Sequence, residues 1–386
     1  MRVAVITPRY GPEVVGGAET LARGFAEAAA SRGWEVEVWT TCARSHYTWE
    51  NLHPPGAERR NGVLVRRFPV ERWDREQWAD LELRLAHQGF LPSAEAYAWL
   101  ESGPHSPRLY AYVARHAAGF EAVVALPYAT PLIHYAAWAA PERVILWPCL
   151  HDEPYAYLEP VCLLLESVWG VVFNSPEEAD LAVRRLNIRP HQHAVLGGGV
   201  CSPPGASPRL FWKRLGRFLM YAGRLEEGKN ILLLYDYARR YFEEKGTIRL
   251  VIIGTGPVKP PKHPAFVDLG LVSEEEKAAL YRAALALCQP SLRESFSLTI
   301  MESWLAERPV LVHEDCPVTS GQVRRSRGGL WFRTYEEFAE AVDWLLTHPD
   351  LATRMGENGK RYVLSNYTWE AVLNHFEALI QQWRET

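Results

Sequence analysis

Short apolar runs recur along the chain, bounded by glycine, proline or polar turn residues, and most are followed by a longer stretch with helical spacing. RVAVITP at 2–8, EVEVWTT at 35–41, VLVRRFPV at 63–70, AVVAL at 122–126, RVILW at 143–147 and GVVFN at 170–174 read as strands. Runs with little polar alternation suit strands covered on both faces, as in parallel sheets flanked by helices. A helix is predicted over 18–31, where Leu21, Phe25 and Ala28 recur at helical spacing and Gly33 ends the pattern. Asn61-Gly62 is a turn signal, and 71–119 reads as mostly polar helix carrying Trp73, Trp78 and Trp99. A Pro/Ser/Gly-rich stretch, CSPPGASP at 201–208, reads as a linker. The alternation then restarts: RFLMYA at 217–222, RLVII at 249–253, FVDLGLV at 266–272 and ALALC at 284–288. The pattern predicts an α/β protein with one domain over 1–200 and a second over 201–368.

Composition narrows the classes. The 386 residues suffice for two ordinary domains, and 48% hydrophobic with 23% charged content fits a soluble globular enzyme. A net charge of −4 gives no case for nucleic acid as a partner. The six cysteines are scattered without a C-x-x-C pair, and several lie in apolar runs, so free buried thiols in a reducing compartment are expected. The strand pattern begins at Arg2, which predicts no secretory leader, and no run approaches the roughly 20 apolar residues of a membrane span. A cytoplasmic location is expected. Arg66, Arg67, Arg72 and Trp73 form a basic-aromatic patch suited to peripheral contact with the inner face of a membrane or to a lipid-phosphate acceptor; a solvated face is the alternative.

The stretch richest in chemistry is QPSLRESFSLTIMESWLAERPV at 289–310. It places Glu294 on a loop after a strand and Glu302 about one turn inside a helix that Pro309 cannot continue. The bare N–H groups of that helix suit an anion such as phosphate, and the two carboxylates can accept hydroxyl protons from a sugar and a ribose. GRLEEGKN at 223–230 supplies Arg224 and Lys229 after another strand. A departing nucleoside diphosphate gains negative charge as its glycosidic bond breaks, and fixed cations stabilise that charge most in the transition state. Arginine can grip two phosphate oxygens, while lysine acts as a point charge; solvated surface cations are the alternative. In the first half, a loop with Gly11, Gly16 and Gly17 follows the opening strand and lets backbone approach a ligand, although G-x-G-x-x-G is absent. His151 follows the strand at 143–147, at the ligand edge of a parallel sheet. With no Asp-x-Asp in the chain, nothing suggests a metal bridging a diphosphate.

Together these motifs resemble the retaining, GT-B-type glycosyltransferases of family 4. Glu294, Phe296, Glu302, Pro309 and Val310 match that family's E-x-F-G-x-x-x-x-E-A-x-A-x-G-x-P-V signature, with Ser297 and Glu307 at its glycine positions. Residues 223–230 match G-R-L-x-x-x-K-G, with Asn230 at the last glycine; Gly16 and Gly17 match GG-x-E; His151 matches the histidine of T-x-H-D, preceded here by Cys149-Leu150. The resemblance implies a GT-B fold, two Rossmann-like domains whose parallel sheets face a central cleft. The first domain, rejoined by a returning helix at 369–386, would be the acceptor side, and the second would bind the donor. It further implies that Arg224 and Lys229 hold the diphosphate and Glu302 the ribose. Glu294 would hold the sugar's 3- or 4-hydroxyl, and His151 would sit by the 6-hydroxyl and the reacting carbon. Gly16, Gly17, Leu271, Val272, Phe296, Ser297, Leu298 and Thr299 would line the donor. No cofactor or metal is expected; the partners would be a nucleotide sugar and a glycan, lipid-linked or small-molecule acceptor. A side chain at Ser297 is expected to change sugar fit, and Glu307 to cost about 1 kcal/mol if its backbone must be left-handed. These departures keep open a non-catalytic nucleotide-sugar or glycan-binding module, and a nucleotide-sugar epimerase or hydrolase on the same fold is a further alternative.

Overall fold

The computed structural model describes residues 1–14, 16–71, 73–201, 207–208, 211, 214–246 and 248–385. The chain divides into two compact units, Met1–Gly199 with Trp369–Thr386, and Val200–Thr368.

The first unit carries β1 (Arg2–Ile6), β2 (Glu35–Thr41), β3 (Gly56–Arg60), β4 (Val63–Phe68), β5 (Ala122–Ala125), β6 (Val144–Leu146), β7 (Gly170–Phe173) and β8 (His193–Val195). Among the described residues these form one sheet in the order β3-β4-β2-β1-β5-β6-β7-β8. Only the β3–β4 pair is antiparallel. Successive side chains of a strand point to opposite faces, so a strand covered on both sides must be apolar throughout. In β1, Val3 and Val5 enter a core with Phe25 of the helix Gly17–Ser31 and Phe376 of the helix Trp369–Glu385. Ala4 and Ile6 enter a second core with Trp99, Leu109 and Leu164. The Phe25 ring meets Phe376 edge-on at 5.1 Å, which ties the C-terminal helix to this unit.

The second unit carries β9 (Phe218–Ala222), β10 (Arg249–Ile253), β11 (Phe266–Gly270), β12 (Ala286–Gln289), β13 (Val310–His313) and β14 (Gly329–Phe332). The sheet runs β11-β10-β9-β12-β13-β14 and is parallel throughout. The order reverses direction between β9 and β12, the kind of switch point at which such sheets bind ligands.

The structure corrects some expectations and refines others. β3 is an antiparallel edge strand that its sequence, GAERR, conceals because it offers no apolar side chain larger than that of Ala57. The segment 71–119 resolves into the helices Arg75–Gln88, Ser93–Ser102 and Pro107–His116. Among the described residues of the basic-aromatic patch, Arg66 and Arg67 are both engaged. Arg66 pairs with Glu37 at 2.7 Å, and Arg67 is buried, donating to the Tyr10 carbonyl at 2.9 Å. Arg72, and residues 202–206 of the linker stretch, lie outside the described residues. Cys42, Cys288 and Cys316 are buried free thiols, but Cys201 is exposed. Among the described residues no helix is long and apolar enough to cross a membrane.

Candidate functional site

At the C-terminal edge of the second sheet, the loops after β9 and β10 are pressed together. A Cβ at Gly254 would lie 1.9 Å from the Gly223 carbonyl oxygen, and one at Gly256 would lie 2.2 Å from that of Leu225. Only glycine permits this approach, and it lets Leu225 N–H donate to the Thr255 carbonyl at 2.9 Å. The packing fixes the segment bearing Arg224. The Arg224 carbonyl accepts from the buried Tyr221 hydroxyl at 2.7 Å, and its half-exposed guanidinium pairs with Glu226 at 3.1 Å. Burial raises the Tyr221 hydroxyl pKa, with Glu294 adding to the rise and Arg224 opposing it. Both charged groups therefore act on one hydroxyl. Lys229 reaches across to Glu294 at 2.8 Å, with side chains only 19% and 11% exposed, so the pair is shielded from solvent.

The helix Leu298–Leu305 starts just beyond. Its N-cap, Ser297, makes no capping bond, and no acidic side chain occupies the first turn. Its first N–H groups thus lack the usual side-chain acceptor. The buried Gln289 amide donates to the hydroxyls of Ser297 and Thr299, both at 3.3 Å. Glu302, one turn in, accepts from Lys277 Nζ on one oxygen and from Tyr281 Oη on the other, each at 2.9 Å. Burial works against the Lys277 ammonium, but Glu302 and Glu274 outweigh it and hold its pKa above the ordinary value. Neither Lys277 nor Tyr281 was anticipated from the sequence. Their i, i+4 spacing on the helix Glu274–Ala283 was the available signal, since such residues share one helix face.

The three residues at glycine positions of the motifs share a backbone property. Asn230 (φ 54°), Ser297 (φ 72°) and Glu307 (φ 58°) are all left-handed. Asparagine tolerates this best; serine and glutamate hold it against a steric cost of roughly 1–2 kcal/mol each. Phe296 is buried, its ring edge-on to Tyr367 at 5.0 Å, so its side chain belongs to the core and only its backbone faces the loop chemistry. Leu271 is 71% exposed just beyond β11, and Val272 packs partly against the core.

The first unit presents a different edge. Gly16 is extended and Gly17 has open space where a Cβ would sit. Behind the loop, Arg9 and Glu19 form a buried ion pair. His151 follows β6 with its side chain 29% exposed, and its Nδ1 lies 3.8 Å from Glu153. Glu153 in turn accepts from the buried Tyr128 hydroxyl at 2.6 Å. The backbone beneath His151 hangs on Glu178, whose carboxylate accepts from the N–H groups of Leu150 and Asn174, both at 2.5 Å. Burial outweighs those bonds and pushes the Glu178 carboxyl up to about 8. Among the described residues no group of three or more His, Cys, Asp or Glu is arranged to hold a metal ion.

Residues 209–362 match the family described as Glycosyl transferases group 1. The chain carries a group 1 glycosyltransferase domain. A Xenopus tropicalis relative, "Glycosyltransferase 1 domain-containing protein 1", is 30% identical over 167 residues, 40% of this chain and 48% of that protein. The chain is thus matched over less than half of this relative's length. Two solved structures share the whole fold. Sucrose-phosphate synthase from Thermosynechococcus elongatus has a TM-score of 0.74 at 18% identity, covering 99% of this chain and 98% of that one. HepE from Anabaena, solved with UDP, has a TM-score of 0.70 at 13% identity, covering 99% and 100%. The architecture is GT-B. The group 1 match spans Arg224, Lys229, Leu271, Val272, Glu294, Phe296, Ser297, Leu298, Thr299 and Glu302, and leaves Gly16, Gly17 and His151 outside it.

Proposed function

We propose that this protein is a retaining glycosyltransferase whose second unit binds a nucleoside diphosphate sugar and whose first unit serves the acceptor. The observation that carries this reading is the shielded Lys229–Glu294 pair beside the uncapped helix at Leu298. An ammonium has three N–H donors, so Lys229 can keep Glu294 and still offer two to phosphate oxygens. A carboxylate has about four acceptor sites; Lys277 and Tyr281 use two on Glu302, which leaves room for ribose hydroxyls. In the reaction the bond from anomeric carbon to phosphate oxygen breaks and its electron pair stays on the diphosphate. The acceptor oxygen bonds to the same face of that carbon, and its proton passes to the leaving phosphate oxygen. Arg224, Lys229 and the helix N–H groups stabilise the growing charge without a metal ion. Glu294 holds the sugar's 3- or 4-hydroxyl, and His151 serves the reacting carbon. The UDP in HepE makes a UDP-sugar the first donor to try.

The test is incubation with UDP-, GDP- and ADP-sugars, with and without saccharide acceptors, while following free nucleotide. Acceptor-dependent release with the anomeric configuration kept is the expected result. Release without acceptor would indicate a hydrolase; sugar interconversion without release, an epimerase; binding without either, a non-catalytic module.

A further inference from the structure

The second unit contains a cavity of about 190 Å³ that belongs to the opposite edge of its sheet from the groups described above. Arg217, Leu285 and Pro309 line it, and each immediately precedes a strand (β9, β12 and β13). Arg224 and Glu294 follow the C-terminal ends of β9 and β12. The five residues of β9 therefore separate the two edges, a distance of about 16 Å. By the same measure of space, one water needs only about 10–15 Å³, so the cavity admits a small organic molecule.

Its walls carry two arginines that make no ion pair within 4 Å among the described residues. Arg308 lines the cavity from the turn between the helix Leu298–Leu305 and β13. That turn is held by Arg308 N–H donating to the Ser303 carbonyl at 2.9 Å and by the Ser303 hydroxyl donating to the Arg308 carbonyl at 3.2 Å. The Arg308 Nε is buried and has no hydrogen-bond partner. The neighbouring carboxylate, Glu307, is engaged by Lys360 at 2.6 Å. Arg217 makes no ion pair or side-chain hydrogen bond among the described residues. A buried polar group left unpaired is costly, more so when charged, and an anion supplied from solution recovers that penalty. The helix dipoles do not favour an anion here, because two C-terminal ends oppose one N-terminal end. The helix Pro349–Asn366 begins at the cavity, while the helices Glu274–Ala283 and Tyr335–Thr347 end near it. The two arginines are what would draw an anion in, against that field.

We infer that Arg308 and Arg217 form a second anion site, one that takes a phosphate group, either free or borne on a small organic molecule, apart from the donor-binding edge. Guanidinium groups match phosphate oxygens in geometry, and burial strengthens the contact. The site stands whether or not the protein is a transferase.

The test is thermal denaturation of the full chain, titrated with inorganic phosphate and with glycerol 3-phosphate against chloride at matched ionic strength. Both should raise the midpoint saturably, because they bind the folded state. The rise should persist in Arg224→Ala, whose altered side chain lies at the other edge. It should vanish in Arg308→Gln and fall at least severalfold in Arg217→Gln, an exposed position that tolerates substitution should the first variant fold poorly. Equal affinity for the two ligands would identify free phosphate as the occupant, and at least tenfold tighter binding of glycerol 3-phosphate would identify a phosphorylated small molecule. No rise beyond chloride, or a rise abolished by Arg224→Ala and kept by both Arg308→Gln and Arg217→Gln, would overturn the site.

Discussion

The ligand edges of the two sheets solve different problems. In the second unit, ion pairs join candidate ligand groups to partners on other elements: Lys229 to Glu294, and Glu302 to Lys277. In the first unit they brace loops instead: Arg9 with Glu19 behind the glycine loop, and Asp152 with Arg185 at 2.5 Å beside His151. An edge that meets a charged ligand must hold several charges close together before the ligand arrives, and pairing them in advance lowers the reorganisation needed on binding. An edge that offers glycine backbone and one imidazole needs shape more than charge.

Substitutions can break this contrast. The largest effect is expected for Lys229→Ala. It would remove the proposed diphosphate contact and strand Glu294 in a shielded position, so turnover should fall by on the order of 10²-fold or more and stability by about 1–3 kcal/mol. Steady-state rates and denaturant midpoints measure the two losses separately. Lys277→Met should act more mildly, loosening Glu302 while leaving Arg224 and Lys229 in place. The donor KM should then rise about tenfold while kcat changes little.

The first unit's bracing is tested by pH. The Glu178 carboxyl is pushed from 4.5 up to about 8 by burial, so between those values the folded protein holds a proton that the unfolded chain has released. Stability should therefore fall as pH rises across that window, and Glu178→Gln, neutral throughout, should flatten that part of the melting-temperature profile. The smallest effect concerns the turn after the signature helix. Glu307→Gly should be about 1 kcal/mol more stable than Glu307→Ala, since both lose the Lys360 pair and only glycine relieves the left-handed backbone. Chemical denaturation of the two variants side by side resolves that difference.

The same contrast explains what was legible beforehand. The parallel strands could be read because burial on both faces demands apolar runs, as in β1 and β9. β3 could not, because GAERR, just before the Asn61-Gly62 turn, shows no apolar run; it pairs antiparallel with β4, and Glu58 meets Arg67 across the pair at 3.3 Å. The second unit's groups were legible because Arg224, Lys229, Glu294 and Glu302 fall at motif spacings within short segments. The glycine pattern proved to be a backbone requirement, kept at Asn230, Ser297 and Glu307 by residues that pay for it in strain. The partners were hidden because they come from distant segments. Tyr128 and Glu153 are 25 residues apart, and Lys277 and Glu302 also 25, with nothing in local periodicity to join them. Arg66 and Arg67 looked like a surface patch only because the carboxylate and carbonyl that engage them, Glu37 and Tyr10, lie far away in sequence.

The central claim is that the second unit's edge grips a nucleoside diphosphate through Arg224 and its neighbours. Melting the wild type and Arg224→Ala with UDP, GDP and ADP tests it most directly, because the half-exposed Arg224 side chain contributes little to stability by itself. At least one nucleotide should raise the wild-type midpoint by several degrees and leave that of Arg224→Ala nearly unmoved. Equal shifts in the two proteins, or no shift in the wild type with any of the three, would contradict the account.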